Sequence, residues 1–120
     1  MSKDKDLAWI GSSLADLSAF PVDAKRAAGF NLRRVQRGLN PERWKPVNTV
    51  GVGAREIRIT AESGEHRVIY VATLGTCVYV LHAFHKKTEK TSKSDIDMAE
   101  RRYRLAKAEV KANEKKRKRN

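Results

Sequence analysis

Cys77 is the only cysteine, so no intramolecular disulfide can form, and a lone thiol fits a reducing compartment. The opening MSKDKDLAWIG lacks the apolar core and small-residue cleavage site of a secretory leader, so the expected location is cytoplasmic. No CxxC, HExxH, Walker or GxGxxG pattern is present, and Gly51-Val52-Gly53 reads as a turn before a strand. The three histidines are His66, His82 and His85. The last two are three apart on an expected strand and point to opposite faces, so neither a metal nor a cofactor is expected. Long apolar runs are also scarce. Residues 68–84 form a stretch of 17 free of Lys, Arg, Asp and Glu, but Thr73, Gly75 and Thr76 interrupt it. It is rich in Val, Ile, Tyr and Thr, so a β-hairpin is expected and not a membrane span.

Acidic residues are in short supply. Lys+Arg number 26 against Asp+Glu 14, a net charge of +12 in 120 residues. That length allows one domain with one modest core and excludes an enzyme with a separate cofactor domain. Hydrophobic content of 40% excludes general disorder. A small domain this basic meets something anionic. The charge is uneven, because residues 86–120 carry 14 basic and 6 acidic residues, two-thirds of the excess. Residues 115–119 are all basic, and a run of like charges is expected to stay solvated. The expected division is a domain over residues 1–112 and a disordered basic tail over residues 113–120.

The periodicities predict a strand over residues 6–10 and a brief helical turn capped by Ser13. They predict a longer helix from Pro21 to about Gly38, with Pro41 confirming its end. On that helix Ala24, Ala28, Leu32, Val35 and Leu39 share one face, while Arg26, Phe30, Arg33 and Arg37 share the other. The arginine face is either solvated or a surface for RNA or an acidic partner. Residues 40–53 read as a loop. Three strands follow, over about 55–60, 66–73 and 77–84, joined by Glu62-Ser63-Gly64 and Leu74-Gly75-Thr76. Loops this short imply an antiparallel meander. A last helix from about Ser94 carries Ile96, Ala99, Tyr103, Ala106 and Val110 as its apolar stripe. The expected fold class is α+β: a small, mostly antiparallel sheet, formed by the N-terminal strand and the meander, with helices packed on one face.

If the first meander turn is centred between Glu62 and Ser63, Arg58 lies opposite Arg67. Facing like charges are unfavourable unless an anion joins them. A phosphate would do so; so would nearby carboxylates such as Glu56 or Glu65. After the third strand comes His82-Ala83-Phe84-His85-Lys86-Lys87-Thr88. Arginines stabilise charge without exchanging protons, whereas histidine, or a lysine beside other cations, can exchange them. These groups suit cleavage of RNA by its own 2′-hydroxyl without a metal.

Three stretches, LAWIGSSLADL (7–17), GEHRVIYV (64–71) and VYVLHAFHKKTEKTS (78–92), resemble the phage-derived branch of the RelE/HigB toxin superfamily. With the acid-starting helix that follows, the resemblance covers about residues 7–108. It implies a RelE-like fold and the toxin of a type II toxin–antitoxin pair, a ribosome-dependent, metal-independent mRNA endonuclease that inhibits translation. It implies as partners the ribosome, mRNA and a cognate antitoxin, expected to be of helix-turn-helix type. By position, Arg58 resembles the family's basic residue on the first meander strand and Arg67 its arginine on the next. Lys86 or Lys87 resembles its basic residue after the last strand. RelE-type enzymes place a tyrosine shortly beyond; here Ser92 and Lys93 stand there, and the next tyrosine is Tyr103, inside the helix. The general base is then His85 or a lysine of lowered pKa, with His82 the lesser choice. Arg58, Arg67, His85, Lys86 and Lys87 are thus the catalytic candidates, and Arg26, Arg33, Arg37 and Lys90 the RNA- or ribosome-contacting ones. Two other classes remain open: a ParE-like inhibitor of gyrase, which shares this fold, and a nonenzymatic nucleic-acid-binding protein.

Overall fold

The computed structural model describes residues 4–118. Eight elements follow in order: β1 (Asp6–Trp9), α1 (Ser13–Ser18), α2 (Val22–Gln36), β2 (Trp44–Pro46), β3 (Ala54–Ala61), β4 (Gly64–Val71), β5 (Cys77–Lys86) and α3 (Lys93–Lys118). The five strands form one mixed sheet in the order β1-β5-β4-β3-β2. The meander is antiparallel as its short turns require, while β1 lies parallel to β5 at one edge. The α+β class is the expected one.

The helices, however, cover both faces of the sheet, where one covered face was expected. Side chains alternate along a strand, and β3–β5 are apolar on both sides. Ile57, Ile59, Val68, Val78 and Val80 meet Leu17 and Phe20 from the α1 region and Ala24, Ala28, Leu32 and Val35 from α2. Ile69, Val71, Tyr79 and Leu81 meet Ala99, Tyr103 and Ala106 of α3. A strand buried on both faces demands a layer on each side. Val80 and Ala83, three apart, share the α1/α2 side, and Leu81 and Phe84 share the α3 side, where strict alternation would separate each pair. This follows from a bulge: Ile69 pairs with His82 and Tyr70 with Val80, leaving Leu81 as the extra residue.

Local expectations are adjusted in four places. Ser12, not Ser13, caps α1, and its hydroxyl donates to Asp16 Oδ2 at 2.8 Å. Ser13 is buried and donates to the Val80 carbonyl at 2.9 Å. Pro21, in extended conformation, is the N-cap of α2 and lies outside the helix. Leu39 falls beyond the end of α2, where Gly38 takes a positive φ of 83°, and it is 50% exposed. The expected 40–53 loop contains β2, a three-residue edge strand. Pro46 is tolerated there because an edge strand leaves one row of N–H groups unpaired; the Arg55 guanidinium lies 4.0 Å over the Trp44 ring.

At the other end, α3 begins one residue earlier than expected. Ser92 Oγ accepts the Asp95 N–H at 3.2 Å and also donates to Asp95 Oδ2 at 2.7 Å, a cap that fixes the first turn. The expected disordered tail is helical as far as Lys118. Its Glu, Lys and Arg residues are strong helix formers, and charged side chains on an exposed helix remain solvated without unwinding it. Residues 119 and 120 of that expected tail lie outside the described residues. No helix among the described residues is long and apolar enough to cross a membrane.

Leu32 and Leu39 share a predicted stripe but not an environment. Leu32→Ala is expected to lower stability by about 2–5 kcal/mol. Leu39→Ala is expected to change it by less than about 0.5 kcal/mol. Urea unfolding of the two variants checks this.

Candidate functional site

Turn geometry sets the site. The β3–β4 hairpin pairs Arg58 with Arg67, the register that the turn arithmetic predicts. Because Ile57, Ile59 and Val68 point to the α1/α2 layer, alternation puts Glu56, Arg58 and Arg67 on the α3 side. Phe84 pairs with Arg67, and Lys86 with Glu65. Lys45 of β2 pairs with Glu56. Arg58, Arg67 and Lys86 therefore share one face on three adjacent strands.

The two arginines meet different fates. Arg67 is 1% exposed. Its Nη1 donates to Glu65 Oε1 at 3.0 Å and to the His66 carbonyl at 2.9 Å, and its Nε lies 3.5 Å from Glu56 Oε1. Glu56 is fully buried at 0% exposure; its Oε2 accepts the Thr91 hydroxyl at 2.9 Å, and the Lys45 ammonium sits 3.9 Å from Oε1. The like-charge clash is thus relieved internally, with carboxylates where a phosphate was the other option. Arg58 differs: it is half-buried, among the described residues it has no carboxylate within ion-pair range, and its buried Nε has no partner. With Lys86, which among the described residues has no carboxylate in range either, it makes up the uncompensated charge of this face. Lys86 Nζ donates to the Glu89 carbonyl at 2.7 Å, while Lys87 and Lys90 stand exposed on the following loop.

The histidines separate from this group. His85 lies on the α1/α2 side, stacked on His66 with ring centroids 4.8 Å apart; Phe20 lies 4.7 Å beyond His66. The sheet stands between His85 and the arginines, so the structure does not join it to Arg58, Arg67 and Lys86. His82 is on the α3 side, where its Nε2 lies 2.7 Å from Asp95 Oδ1 and ties β5 to the start of α3. Tyr103 is a core residue whose hydroxyl donates to the Val52 carbonyl at 2.7 Å. Among the described residues, no three His, Cys, Asp or Glu side chains converge as a metal-holding group.

Arg26, Arg33 and Arg37 are exposed on the outer face of α2 together with Phe30, which is 54% exposed. Arg33 is paired with Asp4 at 2.7 Å. Since α2 covers the face opposite α3, this surface and the Arg58 surface lie back to back. They cannot line one continuous groove.

Two participants escaped the sequence reading. Lys45 did because β2 was read as loop. Thr91 did because nothing local marks a loop hydroxyl that reaches back to Glu56. Chemically, the Arg58 face can hold phosphates and stabilise developing negative charge. The other ionisable groups on this side are the lysines, the buried Glu56 and the partly exposed Glu65.

Residues 15–104 match the family model described as phage-derived protein Gp49-like. No curated protein matches the chain.

Two measurements probe these charges. Removing Glu56 takes the fully buried carboxylate from the Arg67 guanidinium and leaves it Glu65 alone, so Glu56→Ala is expected to cost about 3 kcal/mol in chemical denaturation. Burial, and then the charge of neighbouring His85, hold the His66 imidazole below its ordinary value of 6.5. The unfolded chain takes up that proton at a higher pH than the fold does. This contribution to stability is therefore full above about pH 6.5 and is lost as pH falls toward the depressed folded value. Urea unfolding across this range should show the decline, and His66→Phe should flatten it.

Proposed function

The chain belongs to the phage-derived Gp49-like family, a RelE-like family associated with toxin–antitoxin pairs, and from that premise we propose that it is the toxin of a type II pair, a ribosome-dependent mRNA endonuclease. Arg58 carries this reading. It is a half-buried cation without a carboxylate, it sits beside Arg67, and the lysines at the end of β5 share its side of the sheet or follow it. A phosphate backbone laid across β3–β5 would meet Arg58 and Lys86, with Lys87, Lys90 and Lys45 around them. The buried Arg67 would fix the electrostatics of the floor without touching RNA. The ribosome would supply orientation, and the cationic groups would stabilise charge in the transition state. An antitoxin that neutralises this surface is the expected partner, and the cytoplasm the expected compartment.

A second reading is binding without cleavage. The observation that favours it is the separation of His85 from the arginines by the sheet. A gyrase-inhibiting toxin and a nonenzymatic nucleic-acid-binding protein both fall under it.

Inducible expression followed by mapping of RNA 5′ ends tests the choice. The endonuclease reading expects new ends inside translated codons, and Arg58→Ala is expected to reduce their rate of appearance by about 10²–10³-fold. Growth arrest with DNA-damage signalling and intact mRNA supports the gyrase reading. Unchanged cleavage by the Arg58→Ala protein removes Arg58 from the site.

A further inference from the structure

β5 is longer than the strand that covers its outer edge. β1 pairs with it only from Cys77 to Val80. The Ile10 amide closes that ladder on the Val80 carbonyl, and the Arg102 guanidinium takes the Leu81 carbonyl at 3.0 Å. Over residues 82–86, β5 pairs with β4 on one side. Among the described residues no strand pairs with it on the other. A cleft of about 520 Å³ runs there, bordered by residues 82–85 and by Ala19, Phe20 and Pro21 at the α1–α2 corner. Successive side chains of a strand point to opposite faces, so four consecutive residues can border one cleft only along the main-chain edge.

We propose that this edge accepts an extended segment of another polypeptide as an added strand, apolar at alternate positions and acidic where it passes Lys86 and Lys87. Every second residue of such an edge presents its N–H and C=O outward, and strand addition satisfies both. The corner formed by Ala19, Phe20 and Pro21 supplies apolar surface to one side of the incoming strand, and Phe84 supplies it to the other. Buried His66 also lines the cleft, and its Nδ1 has no hydrogen-bond partner, which leaves a nitrogen for an entering polar group.

The occupant follows from charge. The cleft lining holds one carboxylate, Asp16, and no lysine or arginine, which disfavours a nucleic-acid backbone. A second copy would bring its own Lys86 and Lys87, and a net charge of +12, against the same pair. A segment that is uncharged along residues 82–85 and acidic only where it passes Lys86 and Lys87 meets neither obstacle. The opposite sheet edge is protected in the usual way: β2 has three residues, with Lys45 and Pro46 among them. Residues 82–85 carry no lysine or proline. This docking mode holds whether or not the chain cuts RNA.

The probe is a synthetic peptide, Val-Thr-Val-Thr-Val-Glu-Glu with blocked ends, and a control N-methylated at alternate residues. Amide hydrogen exchange of the full chain reads the contact. At millimolar peptide, amides within residues 82–86 should exchange about tenfold more slowly, as mass action on bound strand requires. The N-methylated peptide should give no protection. Ala19→Glu, an exposed change at the cleft wall that leaves the core intact, should weaken the effect about tenfold, equivalent to 1.4 kcal/mol. The proposal is overturned by no protection, by equal protection from the methylated control, or by protection at residues 44–46 instead. Protection of residues 82–86 that appears with protein concentration alone assigns the edge to a second copy. Protection by oligouridylate but not by peptide assigns it to RNA. Either of these results overturns the proposal as well.

Discussion

The buried guanidinium of Arg67 constrains this molecule more than any other group. An unpaired charge at that depth would cost a large share of the stability of a small domain. Glu56 on β3 and Glu65 on β4 reach it from two directions, and Lys45 on β2 reaches Glu56 in turn. One charge set therefore joins three strands. Thr91 hands the same set a hydroxyl from the loop between β5 and α3, the loop that carries Lys87 and Lys90. The position of those lysines is thereby coupled to the charge balance inside the sheet. Among the described residues, Arg58, one strand away, and Lys86 both lack a carboxylate partner and are left with charge to offer an outside ligand.

The meander and its register were legible because local rules decide them. A tight turn at Glu62 and Ser63 leaves one way to pair β3 with β4, which puts Arg58 opposite Arg67. The α2 stripe was legible through Val35 for the same reason, and it failed at Leu39 because Gly38 turns the chain first. What stayed hidden depends on distant partners. An amphipathic helix declares that it has an apolar face, but not which side of a sheet will receive it. The parallel neighbour of β1 and the bulge at Leu81 leave no local trace. Of the candidate site, Arg58 and Arg67 face each other as expected, and Lys86 stands on the same side of the sheet. His85 was not, because one position along a strand decides between two sides of the molecule.

That two-sidedness shapes the functional reading. The sheet is a partition: Arg58 and Lys86 lie on the α3 side, and the α2 arginines with Phe30 face the other way. A single anionic strand meets one surface or the other. A large ribonucleoprotein can meet both, because a small domain wedged within it is contacted from opposite sides.

The parallel pairing of β1 with β5 also bears on when this protein comes into being. The first strand made can pair only with the last one made, and α3, later still, closes the apolar face formed by Ile69, Val71, Tyr79 and Leu81. Contacts this remote in sequence form slowly and late. A chain interrupted before α3 leaves the polymerising ribosome with an open hydrophobic face and no finished sheet. Synthesis therefore delays folding: the sheet and the apolar face under α3 close only once the chain has been made through α3.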